Sequence, residues 1–129
     1  MKIIDGTNAI LGRLASYAAK ESLQGEEVVI LNSEKVIITG NKKNIKEKFL
    51  QKRRRVGSIQ VGPKISRASE RIVKRTIRGM LPNYREGRGR EAFKRIKCFK
   101  GIPKEFADKK MIKSGKEKTK KFIKVEDLK

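Results

Sequence analysis

Apolar positions change period several times along the chain, and each change marks an element. Lys2-Ile3-Ile4-Asp5 is a short apolar run closed by Gly6, which predicts a first strand. Thr7 or Asn8 then caps a helix on which Leu11, Leu14, Ala15, Ala18 and Ala19 recur at helical spacing and form one apolar face. Gly25 stops that helix, and the aliphatic run 28–31 predicts a second strand. Asn32-Ser33-Glu34 turns the chain into a further β-branched run, 36–39. Gly40-Asn41 breaks it and opens a basic helix to about Gln51, where Ile45, Phe49 and the stem of Lys48 form a narrow apolar stripe. Strands that are continuously aliphatic, rather than alternating, predict a parallel pair covered on both faces.

Beyond residue 51 the pattern loosens. Lys52-Arg53-Arg54-Arg55 leads into a polar, glycine-broken stretch through Gly57, Gly62 and Pro63 to about Ser66, read as an extended loop that also carries Lys64. After Arg67, Ser69 is expected to cap a second amphipathic helix lined by Ile72, Val73, Thr76, Ile77 and Met80. Its opposite side bears Arg71, Lys74, Arg75 and Arg78 at i, i+3, i+4 and i+7, and Leu81-Pro82 ends it. Arg85, Arg88 and Arg90 punctuate a turn at Gly87 and Gly89. A short helix with Ala92, Phe93 and Ile96 inward follows, bearing Lys94 and Arg95. Lys97-Cys98-Phe99 predicts a last strand, a short helix can follow Pro103, and 115–121 is lysine-rich. With no fixed-period repeat and no linker, the organisation expected is one domain over 1–104 with a lysine-rich extension over 105–129.

Charge decides what kind of surface this is. The 129 residues hold 35 Lys+Arg against 14 Asp+Glu, a formal net charge of +21. Residues 1–40 carry four basic and five acidic side chains, whereas 41–104 carry 22 basic against four acidic. The first third therefore reads as scaffold, and the middle as a surface for a polyanion. Aromatic content is 5% without Trp, which disfavours base-by-base stacking. The chain has no His and a single Cys, so the commonest general base, a disulfide framework and a multi-cysteine zinc site are all excluded. Asp5 interrupts what would be the apolar run of a signal peptide, and the longest aliphatic run is far too short to span a bilayer. A soluble, cytoplasmic protein is expected.

Enzyme readings find no equipment. Gly40-Asn41-Lys42-Lys43 lacks the remainder of a phosphate loop, and the neighbours Glu26 and Glu27 point to different sides. Cys98 has no His to form a dyad and reads as a structural thiol. No catalytic residue, metal, cofactor or small-molecule substrate is expected. Cations at i,i+4 on the arginine helix repel one another, and a phosphate backbone turns that cost into attraction. Arginine dominates between 53 and 95 and lysine alone fills 105–129, so geometrically fixed phosphate contacts are expected in the middle and looser neutralisation in the tail. Helix-turn-helix, zinc-finger and aromatic sheet motifs are lacking, which favours recognition of folded RNA by shape over sequence reading of a duplex. Another non-catalytic architectural protein, binding structured RNA or compacting DNA, stays open as the competing reading.

Several motifs then fall in a familiar order: Leu11-Gly12-Arg13-Leu14-Ala15-Ser16, Val29-Ile30-Leu31-Asn32-Ser33-Glu34 leading to Ile38-Thr39-Gly40, Gly62-Pro63, Arg78-Gly79-Met80-Leu81-Pro82, Arg88-Gly89 and Phe99-Lys100-Gly101-Ile102-Pro103. Together they make the chain resemble the universal large-subunit ribosomal protein L-thirteen family in its archaeal and eukaryotic form. The resemblance implies a three-layer α/β/α domain around a small, mostly parallel four-stranded sheet, with basic loop and helical extensions lodged in large-subunit ribosomal RNA. It also implies a structural and assembly role, with neighbouring ribosomal proteins as further partners. By motif match, Arg13 lies at a helix start near the RNA, and Arg78 and Arg88 lie in the RNA-contacting centre. With the charge pattern this yields an expected RNA-binding set of Arg13, Lys52, Arg53, Arg54, Arg55, Lys64, Arg67, Arg71, Lys74, Arg75, Arg78, Arg85, Arg88, Arg90, Lys94 and Arg95.

Overall fold

The computed structural model describes residues 1–57, 62, 64–113, 115 and 120–128. In chain order it has β1 (Lys2–Asp5), α1 (Leu11–Leu23), β2 (Val28–Leu31), β3 (Ile37–Thr39), α2 (Lys42–Arg54), α3 (Ser69–Met80), α4 (Gly87–Lys94), β4 (Ile96–Cys98), β5 (Ile112–Lys113) and β6 (Phe122–Lys124). Short 3₁₀ turns follow β2 (Ser33–Lys35), precede β5 (Lys104–Phe106) and follow β6 (Val125–Leu128).

Four strands form one sheet in the order β4-β2-β1-β5, and every pairing in it is parallel. Ile3 pairs with Val29 and Ile4 with Ile30. Successive residues of each strand therefore face opposite sides, and both sides are covered, which is why the strands read as unbroken aliphatic runs. On one face Ile4, Val28, Ile30 and Ile96 pack with Leu14, Ala15, Ala18 and Ala19 of α1 and with Ile72, Val73 and Ile77 of α3. The alanines of α1 keep its axis close to the strands. On the other face Ile3, Val29 and Leu31 pack with Phe106, flanked by Phe99 and Met111. This third layer is a 3₁₀ turn with its adjoining loops, and no α-helix contributes to that cluster.

The 36–39 run does form a strand, but outside the four-stranded sheet. β3 pairs antiparallel with β6, Ile38 opposite Ile123, and the Val125 N–H donates to the Val36 carbonyl at 2.8 Å. Ile123, Val125 and Leu128 are buried in the larger core cluster. The segment expected as an extension thus supplies β5 to one sheet, β6 to the other, and four core side chains, Phe106, Ile123, Val125 and Leu128.

Local capping also differs from expectation. α1 starts after Ile10, with no side-chain cap. Thr7 donates its N–H and its hydroxyl to Asp5 Oδ1 at 3.0 and 2.8 Å, and Asn8 takes a positive φ of 57°. Asn32, at φ 53°, donates Nδ2 to the same carboxylate oxygen at 2.9 Å. Asparagine tolerates that left-handed backbone better than most residues, so Asn8 serves a turn instead of capping α1, and Asn32 serves the turn expected of it. Ser69 is the first helical residue of α3, and Ser66 Oγ accepts from the Ala68 N–H just before it. Ile96 begins β4 and is not part of the preceding helix.

Two of the family-like motifs meet at the carboxyl end of the sheet. Asn32 N–H donates to the Gly101 carbonyl and Ser33 N–H to the Phe99 carbonyl, while the Gly101 N–H donates to Glu34 Oε2 at 3.0 Å. Asn32-Ser33-Glu34 and Phe99-Lys100-Gly101 are therefore two halves of one backbone clasp.

Candidate nucleic-acid interface

The candidate surface centres on α3, whose Ile72, Val73 and Ile77 are buried against the sheet. The cations expected as a single stripe divide between two directions. Arg75 joins Lys48 and Lys52 of α2 around an apolar cleft of about 500 Å³ between α2 and α3, walled in part by Ile45, Phe49 and Ile72. Lys74 and Arg78 instead lie over aromatic rings from the segment that follows. Lys74 Nζ sits 4.9 Å from the centre of the Phe93 ring, and Arg78 Cζ 4.6 Å from that of Tyr84. Arg71 is exposed.

After the Leu81-Pro82 break, Arg85 donates its Nε to Tyr84 Oη at 3.3 Å, with its Cζ 5.4 Å from the ring centre. The hydrogen bond from Arg85, then the charges of Arg85, Arg78 and Arg75, hold the Tyr84 phenol below its usual value of 10.0. Gly87 turns the chain at φ +60° into α4. Gly89 lies so close to the preceding loop that a Cβ there would collide with the Asn83 and Pro82 carbonyl oxygens. Packing thereby presses the start of α4 onto the turn and leaves Arg88 and Arg90 exposed beside it. Both arginines lie in the first turn of α4 and Arg13 in the first turn of α1, with no acidic residue in either turn. Cations near a helix N-terminus oppose the helix dipole, so none of the three stabilises its own helix.

Lys52, Arg53 and Arg54 form the last turn of α2, and Arg55 ends it. There the dipole is favourable to cations. Arg53 Nε is shielded from solvent without a hydrogen-bond acceptor among the described residues. Lys64 and Arg67 are exposed. The intervening residues 58–61 and 63, including the Pro63 of one motif, lie outside the described residues, as do 114, 116–119 and 129.

Two more expected site residues, Arg95 and Lys94, are also engaged within the chain. Arg95 donates Nη1 to the Ser22 carbonyl at 3.1 Å, tying the end of α4 to the end of α1. Lys94 lies 3.8 Å from Glu91, one helical turn away on an exposed face. The other ion pairs among the described residues join the Met1 amino group to Glu26, Lys2 to Glu21, and Lys124 to Glu126. No arginine forms an ion pair with an acid of the described chain. Among the described residues, the guanidinium groups of the central region thus have no acidic ion-pair partner.

The aromatic platforms Tyr84 and Phe93 are the part of this surface that the sequence hid. Each is separated from its cation by the Leu81-Pro82 break, so no helical spacing relates Lys74 to Phe93 or Arg78 to Tyr84. Burial pushes the Cys98 thiol up to about 12, which disfavours the reactive thiolate.

Residues 1–105 match the model of the family described as ribosomal protein L13. The chain belongs to the ribosomal protein L13 family. Similar L13-family chains are named large ribosomal subunit protein uL13. That of Methanococcus maripaludis is 49% identical over 106 residues, covering 80% of this chain and 77% of the relative. That of Methanocaldococcus jannaschii is 46% identical over 131 aligned positions, covering 99% of this chain and 94% of the relative. The second similarity runs past residue 105, through the segment that carries β5 and β6.

Proposed function

We propose that this chain is a structural constituent of the large ribosomal subunit that binds and bridges segments of large-subunit ribosomal RNA, during assembly and in the mature particle. The observation that carries the reading is the absence of acidic partners for the central arginines among the described residues, on a rigid α/β scaffold of the L13 family. Neutralising phosphates that otherwise repel one another lets two RNA segments approach, and the counterions released favour the complex. The contacts run over Arg13, the end of α2, Lys64 and Arg67, the exposed side of α3, and Arg85, Arg88 and Arg90. Recognition is by phosphate and shape, with no catalytic step, cofactor or small-molecule substrate. Neighbouring large-subunit proteins are the further partners, and the setting is the cytoplasmic ribosome.

Replacing Arg71, Arg75 and Arg78 together by Ala tests this. Folding should be preserved, because none of the three is in the apolar core. The log–log dependence of RNA affinity on salt should flatten by up to about 0.9 per lost phosphate contact on a duplex scale. An unchanged slope removes α3 from the interface. Equal affinity for plain duplex DNA and for folded ribosomal RNA at fixed salt would replace the reading by DNA compaction. In a lysate, the chain should sediment with the large subunit through a high-salt wash.

A further inference from the structure

Tyr84 stands out because two cations share its ring. Arg78 comes from α3 and Arg85 from beyond the Pro82 turn, yet both guanidinium carbons lie within 4.6 and 5.4 Å of one ring centre. Tyr84 is itself steadied by Phe93 of α4, at 6.2 Å between centroids and a tilt of 59°, and Phe93 carries Lys74 at 4.9 Å. The result is a connected ladder of three cations and two rings drawn from α3, the turn and α4. A single cation over a ring is attractive, but a second close by repels the first. No carboxylate pairs with Arg78 or Arg85 among the described residues to relieve that repulsion. An anion received between the two guanidinium groups would complete the arrangement. Each group already lies over the ring, and among the described residues only the Nε of Arg85 is hydrogen-bonded, to the phenol oxygen. Their terminal N–H forks stay available, with much of the rotamer freedom of a long side chain already removed.

We infer that Tyr84 is a positioning residue of the interface, holding Arg78 and Arg85 in place as a preset two-arginine fork for one RNA phosphodiester. The inference rests on the RNA-binding reading and adds to it a neutral residue whose loss should mimic loss of charge. The fork gains affinity by being ordered before the RNA arrives.

Two measurements on the full chain separate the clamp from the RNA. In free protein, NMR relaxation at the arginine side chains should find the Nε–H vectors of Arg78 and Arg85 more rigid than that of exposed Arg54. Tyr84→Leu should loosen both, and Tyr84→Phe should keep Arg78 ordered. With in vitro transcribed large-subunit RNA as probe, Tyr84→Leu should weaken binding about tenfold and lower the salt slope, although no charge is removed. Tyr84→Phe should recover most of that affinity. In an Arg78→Ala/Arg85→Ala background, Tyr84→Leu should cost nothing further. Arginine vectors as mobile as Arg54 in the unaltered protein would overturn the clamp whatever the RNA result. Rigid vectors with RNA binding indifferent to Arg78→Ala/Arg85→Ala would overturn the site as an RNA contact. A Tyr84→Leu loss that persists in the double-alanine background would make Tyr84 a general structural residue and defeat the inference.

Discussion

At the scale of single residues, burial and close approach decide most consequences. Ile30 is fully buried between α1, α3 and the neighbouring strands, so Ile30→Ala should cost about 2–5 kcal/mol in urea unfolding. At Gly89 an added Cβ meets two backbone carbonyls that cannot swing aside. Gly89→Ala should therefore cost about 1–3 kcal/mol and displace Arg88 and Arg90, read as a drop in unfolding midpoint together with weaker RNA binding. Asp5 gives the acid limb of stability. Burial alone would raise its carboxyl, but hydrogen bonds from Asn32 and from the Thr7 N–H and hydroxyl, with the charge of Lys35, outweigh it and hold the group below 3.8. A depressed folded-state value means that the contribution is complete above the unfolded value and fades as pH falls through the folded one. Unfolding midpoints measured downward from pH 5 should fall less steeply for Asp5→Asn than for the unaltered chain. The sequence showed Ile30 as a strand residue. It could not show Asp5 as the acceptor for three donors, because Asn32 reaches it only through the pairing of β1 with β2.

Among the elements, α1, β1 and β2 were legible from periodicity alone, since their burial is regular along the local chain. The 105–129 segment was not. Its apolar residues are few and set among lysines, so composition over a window averages out the buried positions Ile123, Val125 and Leu128. A chain ending at residue 121 removes β6 and those three core side chains, each contributing about 1.5–3 kcal/mol when fully buried. That sum rivals the whole stability of a small domain. The truncated chain should lose its cooperative thermal transition, whereas a peripheral tail would leave the transition in place. The arginine helix was legible as amphipathic, but the division of its cationic side between two neighbours was not. α2 draws Arg75 toward one cleft while the α4 segment draws Lys74 and Arg78 onto its rings.

For the molecule as a whole, a charge of +21 with few ion pairs among the described residues makes self-repulsion a standing cost of the free fold. Salt screens that repulsion, with a Debye length of about 10 Å at 0.1 M. Thermal stability of the free protein should therefore rise between 50 and 500 mM NaCl, while RNA affinity falls over the same range. A melting temperature that drops with salt would mean that attractive pairs within the chain outweigh repulsion.

Periodicity and charge counts are local quantities, and they carried what depends on a residue and its near neighbours: the aliphatic strands, the helical faces and the sign of the surface charge. Pairing is not local. Only folding could bring β6 to β3 from more than eighty residues away, close two distant motifs into one clasp, or set Arg78 and Arg85 on the same ring. A residue's own spacing records that it is buried or exposed. Which surface meets it depends on chain entropy and packing summed over the whole polypeptide.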